Sequence, residues 1–382
     1  MANETDAPAA FGAQLRRPRS KALPQHSRAH NRSLILQTLF TDGAMSRADL
    51  SRQSGLTRPT VSGLVAELEA DALVTELGPR EDLRVGKPAT LINLNVDAFH
   101  IVVVDLSLPD HFVGAVTNLR GDIVNSAKIE VDGATGDQAL VRIIRLVERL
   151  AAMTPRRLLG IAVGCPGVID ASGTVLDSVA LGRGLPLQQQ LAEHFRLPVH
   201  VLNDANVAAL GVHAFELEPA GDLLVVALEH GVGTGMLLGG RLVVGERFAA
   251  GEIGHLTIDE DGEPCPCGRR GCLEVLIGAD HLARRVAEVP DADRADVLRS
   301  AGSILGGVLA PIISAVNITE IVVTGPAELV EGPFIQAVHA TATARTLASV
   351  GNDLAVTATT TNSDLILRGG AAFLLAAELG VS

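Results

Sequence analysis

Hydrophobic positions adopt a helical period only after a long polar start. Residues 1–28 are polar, contain Pro and Ala and show no period, which predicts a disordered basic tail with order beginning near His30. "NRSLILQTLFTDG" then places Leu34, Ile35, Thr38 and Leu39 on one helical face and stops at Asp42-Gly43. In "SRADLSRQSG", Ser46 stands as N-cap with Asp49 three residues on, and Gly55 makes a turn. "LTRPTVSGLVAELEADAL" follows, with Thr57 as N-cap, Pro59 in the first turn, and Val61, Leu64, Val65 and Leu68 facing inward. "LVTELG" and "ATLINLN" alternate as strands around the loop "PREDLRVGKP". Three helices with a tight second turn, followed by a two-stranded wing, predict a winged helix-turn-helix over 29–95.

Beyond residue 96 the period changes to that of strands. "HIVVVDLSLPDHFVGAVTNLRGDIVNSAKIEV" reads as a three-strand meander with turns at Pro109-Asp110 and Arg120-Gly121-Asp122. An amphipathic helix, "GDQALVRIIRLVERLAAM", and a buried strand, "RRLLGIAVGCPGVID", complete the unit. The same order recurs in outline from "GDLLVVALEHGVGTGMLLGGRLVVG", with helices after 278 and the short buried strand "EIVVTG". The expected body over 96–382 is α/β: two lobes with a cleft between them. One lobe takes about 96–203 with the C-terminal helix 364–382, and the other takes 204–363.

Charge sharpens this division. The chain of 382 residues carries −13 overall, yet residues 1–95 hold 12 Lys+Arg against 10 Asp+Glu and residues 96–382 hold 19 against 34. Between residues 12 and 60 nine basic residues face two acidic ones, Asp42 and Asp49. A cationic front on an acidic body predicts a tethered module for double-stranded DNA. Thr57, Arg58, Thr60 and Ser62 at the start of the third helix are the candidate base readers, with Arg47 beside them. Arg84 and Lys87 in the wing are candidates for phosphate or the minor groove. A three-helix unit that binds protein is the alternative.

With 47% apolar residues and 20% charged, the composition is globular. No run of eighteen apolar residues and no secretory leader pattern are present, so a cytoplasmic location without membrane contact is expected. Four cysteines at this spacing make no disulfide framework.

Three of those cysteines stand within eight residues. His255, Cys265, Cys267 and Cys272, spaced H-x₉-C-x-C-x₄-C, supply the ligand set of a closed Cys₃His site for Zn²⁺. Gly268 and Gly271 let the backbone bend round an ion, and full protein coordination makes that ion structural. Unrelated buried cysteines beside a histidine are the alternative. Cys165 stands apart as a small apolar filler.

The ordered segments "GCPGVID", "NDANVAALG", "EHGVGTGMLLGGRLVVG", "AGEIGH" and "CPCGRRGCLE" resemble the ROK family of repressors, open reading frames and sugar kinases, on an actin/hexokinase-like fold. With the winged helix in front, the resemblance is to the NagC/Mlc/XylR type of regulator and covers about residues 30–382. It implies that Asn203, Asp204, Glu252, His255 and Glu274 bind sugar hydroxyls. In a kinase of the family Asp204 would be the catalytic base. The family's Asp-x-Gly-Gly-Thr loop, however, reads Asp105-Leu106-Ser107-Leu108-Pro109 here, and a later Gly-Gly reads Gly325-Pro326. Side chains and proline replace bare backbone at the phosphates, which predicts no kinase activity. The segment "SVALGRGLPL" also lacks the Asn and Trp that family members carry there. The expectation is a sugar-responsive repressor, working as a homodimer or homotetramer, that a sugar or sugar phosphate releases from its operator. An active kinase with a DNA-binding head, or a body serving only as a docking platform, are the alternatives.

Overall fold

The computed structural model describes residues 27–79, 89–215, 221–229, 231–360 and 363–381. Its head begins with α1 (Ser27–Asp42), β1 (Met45–Ser46), α2 (Arg47–Ser54) and α3 (Arg58–Ala70), and ends with β2 (Val74–Pro79) and β3 (Thr90–Leu94). The strands pair in the order β1-β3-β2, closing a winged helix. Local chemistry sets the boundaries. Ser46 Oγ accepts from the Asp49 N–H at 3.2 Å while the Asp49 carboxylate accepts from the Ser46 N–H at 3.3 Å, a reciprocal capping box. Gly55, at φ 69°, ends α2 in the left-handed region. Thr57 caps α3 through the Thr60 N–H, and Pro59 occupies its first turn.

Helix α1 starts at Ser27, three residues before the expected His30. Its first turns carry no apolar stripe to announce them. They are held by ion pairs from Arg28 to Glu67 and from Arg32 to Asp71, partners some 39 residues away on or just after α3. The predicted inward faces are buried at Leu34, Ile35, Leu39, Val61, Leu64, Val65 and Leu68, and Leu50 and Ile92 join them. Each such aliphatic side chain contributes about 1.5–3 kcal/mol of burial. Thr38 joins them because its hydroxyl donates to the Leu34 carbonyl at 2.7 Å.

The body repeats one topology. Strands β4 (Phe99–Asp105), β5 (His111–Thr117) and β6 (Ile123–Glu130) form the first meander, and α4 (Gly136–Ala152) leads to β7 (Arg157–Cys165). A small ribbon, β8 (Val168–Ile169) with β9 (Val175–Asp177), precedes α5 (Leu187–Phe195), β10 (Val199–Asn203) and α6 (Asp204–Phe215). The second meander is β11 (Leu223–Leu228), β12 (Val232–Leu238) and β13 (Arg241–Leu242). Then come α7 (Leu273–Ile277), α8 (Ala279–Ala287), α9 (Arg294–Val316), β14 (Glu320–Gly325), α10 (Ala327–Val330), α11 (Pro333–Arg345), α12 (Ala348–Gly351), β15 (Ala355–Thr360) and α13 (Ser363–Leu379). The sheets run β10-β7-β4-β5-β6 and β15-β14-β11-β12-β13, so each meander is extended by two parallel strands on the same side. Helix α9 is long and apolar enough by composition to cross a membrane, but here it is a core helix. Leu298, Leu305, Leu309 and Ile313 of α9 are buried in one cluster with Phe334 and Val338 of α11.

Helices α6 and α13 join the parts. α6 packs on β11 and β12 of the second sheet, and α13 packs on β4 and β7 of the first. Where the helices meet, a Cβ on Gly211 would strike the Leu365 carbonyl oxygen, and one on Gly369 would strike that of Val207. The two backbones therefore touch without side chains between them. The opposite flank of α13, through Leu367, Ala371, Leu374 and Leu375, enters the same buried cluster as the head's Leu34, Ile35 and Ile92. Beyond the helix, Val381 joins that cluster, and Ser33 Oγ of α1 donates to the Leu379 carbonyl at 2.8 Å. Head and first lobe thus have one continuous core.

Candidate functional site

Parallel strands expose their carboxyl ends where chain turns leave room for ligand. In the first sheet Asp105 ends β4 and pairs with Gly164 of β7, while Asn203 ends β10 and pairs with Cys165. Asp204 opens α6 immediately afterwards. In the second sheet Glu229 follows the last residue of β11. Ser107 Oγ lies 3.4 Å from Glu229 Oε2, so the two sheets meet at this point. Asp105 is fixed by the Ser107 N–H at 2.9 Å, and Asp204 by the Ala205 N–H at 2.8 Å.

Crowding of these acids alters their ionisation. Burial, opposed by the Ala205 N–H and reinforced by Asp105 and Glu252, pushes Asp204 up to about 7. Burial, followed by repulsion from Asp105 and Asp204, pushes Glu229 up to about 8. Burial also raises Asp105, with the hydrogen bonds of Ser107 working against it. At neutral pH the floor of the cleft therefore holds both protonated and ionised oxygens, able to donate to and accept from hydroxyl groups.

The remaining residues expected to bind sugar lie on the second lobe's side, except Asn203. Glu252 is raised by burial, and it interacts electrostatically with His255, Glu274 and Asp177. Glu274 Oε2 accepts from the Val232 N–H at 3.4 Å. The Asn203 amide is engaged locally, its NH₂ donating to the Gly167 carbonyl and its oxygen accepting from the Asn206 N–H, both at 3.0 Å. Asp177 is paired with Arg183 at 2.8 Å, in the segment where Asn and Trp were missing. Glu229 and Ser107 escaped the sequence reading as site residues. The available signal was positional: each stands just past the end of a buried strand.

The glycines of "GVGTG", residues 231–235, have a packing role. Gly233 and Gly235 lie within β12, and a Cβ on Gly235 would collide with the Ala205 carbonyl of α6.

Beside the cleft, the ligand atoms of His255, Cys265, Cys267 and Cys272 all lie within 4.8 Å of one another. Cys265 Sγ is 3.6 Å from His255 Nδ1, and Cys267 Sγ is 3.7 Å from Cys272 Sγ. A tetrahedral site with metal–sulfur bonds of about 2.3 Å has edges of about 3.8 Å, so these residues fit an ion. The Cys265 N–H donates to the Arg269 carbonyl and the Gly268 N–H to the Cys265 carbonyl, folding the loop into a knuckle. Burial pushes the Cys265 thiol up to about 12 and raises Cys272 as well. At Cys267 burial is outweighed by hydrogen bonds, the Arg269 N–H foremost, which bring it to about 7. Three thiols this close cannot all ionise unaided; a dication supplies the missing charge. The cluster can hold a metal ion. Its ligands flank the cleft in sequence, His255 three residues after Glu252 and Cys272 two before Glu274.

On the head, Thr57, Arg58, Thr60 and Ser62 all lie exposed on the outer face of α3 and its cap. The Thr57 and Thr60 hydroxyls are 2.8 Å apart. Arg47 is half-buried and paired with Glu69 at 3.3 Å and Glu76 at 2.8 Å. Arg52 is likewise paired with Asp49. Acids from α3 and β2 fold back onto the basic front, so much of its excess charge is neutralised within the head. Arg84 and Lys87 lie outside the described residues.

The raised carboxyls make a stability prediction with a definite sign. A folded value above the ordinary 3.8 or 4.5 means that the native state holds protons the unfolded chain has released. Their contribution is complete below pH 4 or so and is lost as pH rises through about 7 and 8. Thermal unfolding from pH 5 to 9 should therefore show falling stability. Glu229→Gln should flatten the slope, gaining about 1–3 kcal/mol at the alkaline end. Superimposable slopes would remove the buried acid at residue 229 as the cause.

Comparisons with known proteins extend this picture. The chain is 33% identical over 251 residues to the xylose repressor of Caldicellulosiruptor bescii, covering 64% of this chain and 62% of that protein. The alignment thus spans less than two thirds of the repressor's length. It is 37% identical over 182 residues to the glucokinase of Halalkalibacterium halodurans, covering 46% of this chain and 55% of the kinase. Among solved structures, a ROK family transcriptional regulator described as a homologue of the E. coli MLC protein has the same fold. It superposes with a TM-score of 0.80 at 24% identity, over 93% of this chain and 97% of its own. The ROK family model matches residues 109–377, well over half of the sequence, and the chain belongs to the ROK family.

Proposed function

We propose that this protein is a sugar-responsive DNA-binding transcriptional regulator, a repressor whose operator affinity falls when a sugar is bound between the lobes. The observation that carries the proposal is the shared core of head and body. α13 lies against the winged helix on one flank and against α6, whose first residue is Asp204, on another. A ligand that moves one lobe relative to the other shifts α6, then α13, then α1, which is how two distant sites acquire a coupling free energy. Regulators and a kinase are both among the relatives, and the place of the phosphate loop favours the regulator. Side chains and Pro109 occupy the turn after β4, where a nucleotide's phosphates require converging backbone N–H groups.

In this role α3 enters the major groove with Arg58 and the hydroxyls of Thr57, Thr60 and Ser62 at the bases, and wing residues Arg84 and Lys87 meet phosphate. Arg47 also meets the DNA. Two heads of a homodimer, or of a dimer within a homotetramer, engage half-sites a helical turn or a multiple apart. The metal is Zn²⁺, bound by His255, Cys265, Cys267 and Cys272, and it is structural: four protein ligands leave no position for water. It pins Glu252 and Glu274 on one wall of the cleft. Asn203 and Asp204 form the facing wall, and the compartment is the cytoplasm.

Three outcomes are expected. Arg58→Ala should weaken binding to DNA from the protein's own promoter region by about tenfold or more in gel-shift titrations, as loss of a base-reading guanidinium does. Unchanged affinity would rule out the docking of α3. Cys267→Ser should lower bound zinc, read by elemental analysis, and reduce Tm by about 5 °C or more; retention of one zinc per chain at unchanged Tm would overturn the metal assignment. Ser33→Ala removes the hydrogen bond to Leu379, worth about 1 kcal/mol. The variant should bind operator and sugar much as before, with a smaller drop in operator affinity on adding sugar. An undiminished response would exclude the α13–α1 contact as the route.

A further inference from the structure

We infer that Glu229 makes the inner end of the cleft a charge filter, admitting neutral or amine-bearing sugars and rejecting sugar phosphates. The inference rests on the sugar-effector proposal above and narrows its ligand class. Three elements deliver carboxyl groups to this end: Asp105 from β4, Asp204 from α6 and Glu229 from the end of β11. Among the described residues, the groups acting on Glu229 are Asp105, Asp204 and the Ser107 hydroxyl, which lies 3.4 Å from its Oε2, and His111 at the start of β5 acts on Asp105. The Glu229 carbonyl accepts from the Ala279 N–H at 3.0 Å, and its N–H donates to the Gly231 carbonyl at 3.1 Å.

A phosphate needs the opposite environment. It is held by guanidinium or ammonium groups, or by backbone N–H groups at a glycine loop or a free helix N-terminus. Here the N-terminus of α6 carries Asp204, whose own carboxylate accepts from the Ala205 N–H. The turn after β4 presents Leu106, Ser107, Leu108 and Pro109. Gly233 and Gly235 pack against α6, Gly233 at Ala205 and Gly235 at Ala205 and Ala209. A phosphoryl group placed at this end would meet carboxyl oxygens at contact range, and their repulsion would add to that already raising Asp204 and Glu229. A sugar hydroxyl does the reverse. It donates to an ionised oxygen or accepts from a protonated one, and an ammonium in its place converts mutual repulsion into attraction.

Calorimetric titration of the full chain tests this with D-xylose, D-glucose, D-glucosamine and glucose 6-phosphate, on the wild type and on Glu229→Gln. For the wild type, glucose or glucosamine should bind at least tenfold more tightly than glucose 6-phosphate. Glu229→Gln should narrow that gap several-fold, and it should weaken glucosamine more than glucose. As a measurement without substitution, the gap between glucose and glucose 6-phosphate on the wild type should widen from pH 7 to 9, where the phosphate is already a dianion while the floor loses protons. Glucose 6-phosphate binding as tightly as glucose, or a gap indifferent both to pH and to a folded Glu229→Gln protein, would overturn the filter and leave a sugar effector standing. Binding of none of the four sugars to either protein would overturn the sugar-effector proposal and the filter with it.

Discussion

Helices α6 and α13 cross at Gly211 and Gly369 with backbone against backbone, and the rest of the molecule is arranged around that contact. Glycine on both sides lets two helices approach closely enough that neither can slide without moving the other, because interiors are packed solids and transmit displacement. α6 belongs to the second sheet by its packing and α13 to the first, so the crossing is also where the lobes are tied. α13 is buried over most of its circumference. Leu365, Ile366 and Phe373 lie in the cluster of α6 and β11, while Leu367, Ala371, Leu374 and Leu375 lie in that of the head. A helix apolar on all sides is a core element, and this one is the core of three units at once.

The constraint mechanically links the acidic end of the body to the head. Asp204 is both a carboxyl of the cleft floor and the first residue of α6. Any change in the protonation or hydrogen bonding of the floor acts on the helix that crosses α13. The facing acids, Asp105 and Glu229, reach the same point from opposite sheets, bridged by Ser107. In this arrangement the three carboxyl groups repel one another. Hydroxyl groups inserted among them would replace repulsion with hydrogen bonds. A ligand that interacts differently with the open and closed arrangements is what shifts their populations.

Local signals in the sequence were sufficient for most of the head. Ser46, Asp49, Gly55, Thr57 and Pro59 specify caps and turns through contacts within a few residues, and these stand where they were expected. The two meanders were legible from alternation and turn residues for the same reason. What escaped depends on distance along the chain. The start of α1 is set by Glu67 and Asp71, and the fate of Arg47 by Glu69 and Glu76, so a window ending at residue 60 counts the cations and misses their partners. Glu229 is a lone acid beside a glycine segment until the second sheet is docked on the first. The cysteine cluster was legible because three of its four ligands lie within eight residues, and only His255 had to be brought in from ten residues upstream of Cys265.

In the role proposed above, a fold that this chain shares with kinases would act as a sensing unit. Phosphoryl transfer needs backbone N–H groups at the phosphates and an acid positioned to take the hydroxyl proton. The acid, Asp204, is present, but burial and its neighbours push it up to about 7, and the turn after β4 carries the side chains of Leu106, Ser107, Leu108 and Pro109. Glu229, raised to about 8 by burial and by Asp105 and Asp204, sets a third carboxyl group beside theirs. Carboxyl groups in both protonation states suit hydroxyl recognition better than they suit a nucleotide's phosphates. In the proposed regulator the binding energy of a sugar would have no chemical step to lower and would be available to shift the lobes, and through α13 the winged helix.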